Sequence, residues 1–278
     1  MMAMLSPRVT DEAAGALCID LIRRELATDS IGHEMHLFRE LPSTNDALRA
    51  LADSGAREGV VVLAETQHVG RGWRGRPWSA PERANLYASV LFRPRIPRRA
   101  VSVFTFIAAL ALDDAIAVEG ACARIRWPND VLVGGRKVAR TRCQAAPMGE
   151  IADYVILGVE VNLNVSHETG ATSLREVLKR PIDRNGFTAA FLNHLERWLV
   201  VYQMRGAAAV LMAWNDRDTL RGRVVEAHGS GVTRRGRVAG VDDEGRLVLE
   251  RGPGTERAIA SGEIVAVSDV DIQRRRQP

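Results

Sequence analysis

The stretch Gln67 to Trp78 holds this chain's chemistry-bearing residues at their highest density. Gly70, Gly72 and Gly75 are interspersed with Arg71, Arg74 and Arg76, and the run closes on Trp78. Glycines let a backbone take positive φ and approach a ligand closely. Successive exposed N–H groups in such a loop form an anion-binding concavity, and guanidinium groups add planar, bidentate recognition of phosphate and carboxylate. The preceding run, Glu58 to Thr66, is rich in β-branched residues and reads as a buried strand. A strand running into a cationic glycine loop suits an anionic ligand. A mobile basic surface loop, or a grip on a nucleic acid backbone, fits the same residues equally well.

Other candidates lie elsewhere in the chain. Ser43-Thr44-Asn45-Asp46 opens a helix that stops at Gly55, and Ser43 with Asp46 forms a capping-box pattern. Lys137 stands just after a Gly134-Gly135 turn that separates two β-type runs, which predicts a hairpin. Asn129 and Asp130 follow Trp127-Pro128, where Asx hydrogen bonds of a turn are the plain reading. Cys18, Cys122 and Cys143 are isolated, odd in number and without metal-ligand spacing, which points to a reducing cytosol and to no metal site.

The elements that must position these residues follow from periodicity. Helical spacing is expected over 11–27, 43–53, 101–118, 187–204 and 207–214. The third of these is apolar nearly all round, as a core helix is. Strands are expected at 35–40, 85–92, 131–139 around the Gly-Gly turn, and 154–165. From 220 to 268 the character changes to five short β-type runs separated by turn signals, which predicts a small barrel. The organisation expected is a main domain over 1–217 and a second over 218–278. At 278 residues, with 46% hydrophobic and 26% charged residues and a net charge of +4, the composition is that of an ordinary globular protein. It allows an anionic ligand without demanding nucleic acid. No apolar run is read as long enough to span a bilayer, and the N-terminus lacks a signal-peptide core.

Taken in order, these pieces resemble the biotin protein ligases, the biotin–[acetyl-CoA-carboxylase] ligases. The resemblance rests on Ser43-Thr44-Asn45, on Gln67 with Gly70-Arg71-Gly72 and Arg74-Gly75-Arg76-Pro77-Trp78, and on Ala84-Asn85-Leu86-Tyr87. It continues through Arg126-Trp127-Pro128-Asn129-Asp130, Gly135-Arg136-Lys137-Val138-Ala139, Gly158, Asn162-Leu163-Asn164 and Gly262-Glu263-Ile264. It implies an α+β fold: a mixed sheet flanked by helices, of the class II synthetase-like biotin/lipoate ligase type, with a small C-terminal SH3-like β-barrel. The activity implied is formation of biotinyl-5′-adenylate from biotin and ATP with Mg2+. Transfer to a lysine of the biotin carboxyl carrier domain of a carboxylase follows. A cytoplasmic monomer or homodimer is implied, with no membrane partner. There is no DNA partner either, because the short first helix leaves no room for the winged-helix domain of some members.

The same resemblance assigns roles. Lys137 meets the biotin carboxylate and α-phosphate. Arg71, Asn129 and Asp130 join it in catalysis. Ser43, Thr44, Asn45, Gln67, Gly70, Arg71, Gly72 and Trp73 surround biotin. Arg74, Arg76, Trp78, Asn129 and Asn162 serve the nucleotide. The chain departs from the family's pattern at Trp73, where an arginine is usual. It departs again at Arg140-Thr141-Arg142-Cys143-Gln144, where the family has a glycine and an apolar strand, and at Glu160, where it has glycine. Val267 sits where some relatives carry an arginine. Glu160 is placed to pair with Arg140 or Arg142 across neighbouring strands. A catalytically impaired relative that binds a ligand or carrier is the alternative these departures raise, and a ligase for lipoate or another acid is a third.

Overall fold

The computed structural model describes residues 15–67, 70–71, 77–78, 83–146, 149–166, 168–229, 232–250, 256–259 and 262–268. The chain runs α1 (Ile19–Glu25), β1 (Met35–Leu41), α2 (Thr44–Asp53), β2 (Val61–Gln67), β3 (Gly70–Arg71), β4 (Pro77–Trp78), β5 (Leu86–Phe92) and β6 (Ile96–Pro97). Next come α3 (Ser102–Val118), β7 (Ala123–Arg126), β8 (Asp130–Val133), β9 (Arg136–Ala145), β10 (Ile151–Ala152), β11 (Val155–Val161), α4 (Leu174–Leu178) and α5 (Arg184–Arg217). The last strands are β12 (Val224–Gly229), β13 (Val232–Val241), β14 (Leu247–Glu250), β15 (Glu256–Ile259) and β16 (Glu263–Ser268).

Seven strands form one sheet in the order β1-β2-β5-β11-β9-β8-β7. Only β1 and β2 run parallel; the other pairs are antiparallel, so the sheet is mixed and flanked by helices as expected. Every residue of β2 and β5 is buried, which explains their near-continuous apolar character. Helix α3 lies in the main core, with the Phe104 ring tilted against Phe92 at a centroid distance of 5.1 Å and Phe106 tilted against Trp214 at 4.9 Å. By length and hydropathy alone, 98–118 would pass for a membrane span, contrary to the sequence reading. Its window is 67% buried inside the protein, so its apolar surface already has partners. Helix α5 carries one kink, at Gly206 with φ 74°, which separates the two helical stretches read from the sequence.

Two boundaries differ from expectation for local reasons. Before Ile19 the chain is extended: Leu17 N–H donates to Glu65 Oε1, Cys18 N–H donates to Asn185 Oδ1, and α1 is correspondingly short. Strand β11 ends at Val161, because Asn162 and Asn164 leave the sheet to bond Thr172 and Ile182. The C-terminal strands form an antiparallel sheet in the order β15-β14-β13-β12-β16. Register shifts at Glu226/Ala227 and Val238/Gly240 bend it. This bent antiparallel sheet is consistent with the SH3-like domain expected there, and among the described residues no pairing joins β15 to β16.

Candidate active site

The two faces of the large sheet differ in chemistry. One is apolar: Leu63, Ala88, Val90, Val131, Ala139, Leu157 and Val159 belong to the core that contains α3 and α5 residues. Side chains alternate along a strand, so Ser89, Asp130, Arg140, Arg142, Gly158 and Glu160 fall on the opposite face. Helix α2 covers one end of that second face, packing Leu48 and Ala52 with Val62, Leu91 and Ile156. Beyond α2 the face carries polar and charged rungs.

Beside the start of α2 is a buried neutral cluster. Ser43 caps the helix, its Oγ accepting from Asp46 N–H at 3.3 Å, so the capping role holds. Thr44, Asn45, Gln67 and Ser89 are buried together. Gln67 Oε1 accepts from Thr44 N–H at 2.8 Å and lies 3.2 Å from Thr44 Oγ1. Ser89 Oγ donates to Asn45 Oδ1 at 2.6 Å and lies 2.8 Å from Thr44 Oγ1. Gly158 lies under Asn45, and a Cβ built there would fall 2.2 Å from Asn45 Oδ1. The fold thus brings Thr44, Asn45 and Gln67 together. Ser89 was missed by sequence reasoning; its one signal was a hydroxyl inside an otherwise apolar strand.

Charged rungs follow. Pairing across β5, β11 and β9 aligns Ser89, Gly158 and Arg142, and then Tyr87, Glu160 and Arg140. Arg140 Nε donates to Glu160 Oε2 at 2.8 Å, with 17% of each side chain exposed, so the anticipated cross-strand pair forms with Arg140. Burial, reinforced by the charge of Glu160, holds the Tyr87 phenol above its ordinary range. Asp130 of β8 stands opposite Arg140 and accepts from Arg126 at 2.6 Å.

Lys137 reaches this face through a bulge. The β8–β9 register shifts between Val131 and Leu132, leaving Val138 as the extra residue. Val138 and Ala139 both join the core, and Lys137 turns to the side of Arg140. Lys137 Nζ lies 2.9 Å from the Glu168 carboxylate. Asn129 is fixed to β9, its Nδ2 donating to Thr141 O at 2.7 Å. Asn162 braces the bulge: its N–H donates to Val138 O at 2.8 Å, and its Nδ2 donates to Thr172 O at 3.2 Å and Ser166 Oγ at 3.4 Å. The hairpin bearing Asn129 and Asp130 is held to the C-terminal sheet, where Trp127 Nε1 donates to Gly245 O at 3.1 Å.

Gly70 pairs with Trp78 and Arg71 with Pro77, which makes β3 and β4 the base of a hairpin. The remaining predicted ligands of that loop, Gly72, Trp73, Arg74 and Arg76, lie outside the described residues. Burial pushes the Cys143 thiol up to about 12. No group of three or more His, Cys, Asp or Glu able to hold a metal occurs among the described residues. Neutral hydrogen-bonding groups at one end of the face and cations at the other suit a ligand with an uncharged polar head and an anionic tail.

Known proteins match this architecture. Residues 37–162 match the biotin/lipoate A/B protein ligase family, and 222–266 the biotin protein ligase C-terminal domain. The chain is 35% identical to the biotin–[acetyl-CoA-carboxylase] ligase of Mycobacterium tuberculosis, over 84% of this chain and 88% of that protein. It is 33% identical to the enzyme of the same name from Paracoccus denitrificans, over 80% of this chain and 96% of that one. The fold matches a biotin protein ligase from Aquifex aeolicus in complex with biotin and ATP. That match has a TM-score of 0.71 and 21% identity, and covers 85% of this chain and 99% of the other.

Proposed function

We propose that this chain, which belongs to the biotin protein ligase family, joins biotin to ATP and passes the biotinyl group to a lysine of a carboxylase carrier domain. One observation carries the proposal: the buried Thr44–Asn45–Gln67–Ser89 cluster and Lys137 occupy the same sheet face, on either side of the Arg140–Glu160 rung. The uncharged ureido head of biotin matches the cluster, and its carboxylate matches the ammonium.

In the first step a carboxylate oxygen attacks the α-phosphorus of ATP. A new O–P bond forms as the bond from the α-phosphorus to the oxygen bridging to the β-phosphate breaks, and pyrophosphate leaves. Two anions meet, so catalysis rests on fixed positive charge that persists into the transition state. Lys137, with Arg71 from the glycine loop, supplies that charge. Asn129 holds the bulged strand, and Asp130 orients Arg126. In the second step the neutral amine of the acceptor lysine attacks the mixed anhydride and AMP departs, a step governed by proximity and amine deprotonation. Magnesium would enter as part of the MgATP substrate, where it would neutralise phosphate charge, and Asp130 is the carboxylate on this face that would meet it.

Purified protein should release pyrophosphate only with biotin, MgATP and enzyme all present. Lys137→Ala should lower kcat about 100-fold or more, the usual loss when one charge-stabilising donor is removed. Release by the wild type no greater than by Lys137→Ala would sink the enzymatic reading. It would leave the second one, a binding protein with an altered pocket, which the Arg140–Glu160 pair on the site face favours.

A further inference from the structure

Lys137 is not the only cation the sheet directs at this face. The bulge that turns Lys137 leaves Arg140 on the same side, one rung nearer the Asn45 cluster. Asp130 and Glu160 stand opposite Arg140 on the two neighbouring strands, and Glu160 Oε2 holds its Nε at 2.8 Å. Both members of that pair are mostly but not wholly covered. A guanidinium held at Nε on a rigid strand has its plane fixed, and a planar, permanent cation of that kind is suited to carboxylate or phosphate oxygens. A ligand that spans from Thr44 and Asn45 to Lys137 must pass over it.

We infer that Arg140 is a second anion-binding catalytic residue, acting with Lys137 on the reacting carboxylate and α-phosphate, and that Glu160 is its positioning residue. This rests on the ligase reading for the identity of the anions. Arg140 gives the site a floor cation on a rigid strand, in addition to those of the glycine loop. A rigid support holds a charge closer to its productive geometry than a loop does. Glu160 keeps the ligand-free face from carrying uncompensated positive charge.

A purely structural cross-strand ion pair would show the same geometry, and a double substitution separates the two. Arg140→Gln alone takes the Arg140 contact from the Glu160 charge, and Glu160→Gln alone takes the Glu160 contact from Arg140. Arg140→Gln/Glu160→Gln removes both charges and keeps a polar side chain at each position. The readouts are thermal unfolding and calorimetric titration with MgATP alone, then with MgATP after biotin. If Arg140 binds substrate anions, the double variant unfolds near the wild-type temperature yet binds MgATP about tenfold or more weakly, the effect of one charge-assisted hydrogen bond. Glu160→Gln should weaken binding less than Arg140→Gln. If the pair is structural, the double variant recovers stability and wild-type MgATP affinity together, and the inference is overturned. The titration requires no turnover. A wild type that binds MgATP but releases no pyrophosphate with biotin would defeat the ligase reading, while the titrations would still decide the role of Arg140.

Discussion

Gly158→Ala is the sharpest probe of the neutral end of the site. Gly158 lies in the middle of β11 and has no positive φ, so alanine costs nothing in backbone conformation. The whole effect therefore comes from the added methyl. Its carbon would sit 2.2 Å from Asn45 Oδ1, 3.0 Å from Cγ and 3.1 Å from Nδ2. Asn45 is 7% exposed, and its Oδ1 accepts from Ser89, so the side chain yields only by breaking that bond or by moving the first turn of α2. Losing a buried hydrogen bond costs about 1–3 kcal/mol, and overpacking adds about 1–3 kcal/mol. Because part of the strain is relieved when Asn45 moves, a total of about 2–4 kcal/mol is expected, a fall in Tm of roughly 5–12 °C. The KM for biotin should rise about tenfold or more while the KM for ATP holds, since the methyl sits at the neutral end. Thermal unfolding and steady-state pyrophosphate release measure the two effects. Ser89→Ala should make Gly158→Ala less costly, because the bond that Asn45 must break is already gone. An unchanged Tm and biotin KM, or strictly additive single effects, would refute the packing described for Asn45.

Three further outcomes follow from specific contacts. Glu168→Gln removes the carboxylate 2.9 Å from Lys137 Nζ; it should tighten biotin binding several-fold in equilibrium dialysis, and weaker binding would mean that Glu168 assists rather than competes. Trp127→Phe deletes the donor to Gly245 O and should cost about 1–2 kcal/mol in chemical unfolding, with a fall in kcat if the Asn129–Asp130 hairpin loosens. Asp218 has a buried Oδ2 without a partner, and burial raises its carboxyl to about 6. An acid whose folded pKa is raised destabilises the fold once deprotonated. Its penalty is absent below its unfolded value of 3.8, grows as pH rises to about 6, and is constant above that. Asp218→Asn should therefore unfold at a higher temperature than wild type at pH 8, with the gain shrinking toward pH 4.

Sequence periodicity located most of this fold because its elements agree with their local patterns. The wholly apolar α3, the β-branched β2, the Gly-Gly hairpin of β8 and β9, and the turn-separated C-terminal strands each carry a signal within a few residues. Elements stabilised by distant partners were not legible. The extended segment before α1 depends on Glu65 and Asn185, and the end of β11 depends on Thr172 and Ile182. The site shows the same division. Thr44, Asn45, Gln67 and Lys137 were identifiable as residue types in a recognisable order. The side of the sheet that Lys137 faces was not, because the extra residue at Val138 becomes visible only in the register of β8 against β9.

That bulge also fixes the electrostatic problem the site must solve. It adds Lys137 to a face that already holds Arg126, Arg140 and Arg142, and four cations on one patch repel one another. Protein carboxylates lie close by: Asp130 at Arg126, Glu160 at Arg140 and Glu168 at Lys137. On the proposed ligase reading, the substrate anions must therefore exchange with carboxylates rather than enter bare positive charge. Exchange lowers ground-state affinity, because each displaced carboxylate has to be rehydrated or re-paired. It costs less in the transition state, where charge builds on the phosphoryl oxygens and the cations gain more from phosphate than they lose from a carboxylate. Glu160 sits on β11, in the interior of the sheet, and Glu168 belongs to a connecting segment between β11 and α4. On the proposed ligase reading the exchange is thus easiest at Lys137 and hardest at Arg140, which would make Lys137 the cation released to the substrate and Arg140 the one that stays oriented throughout.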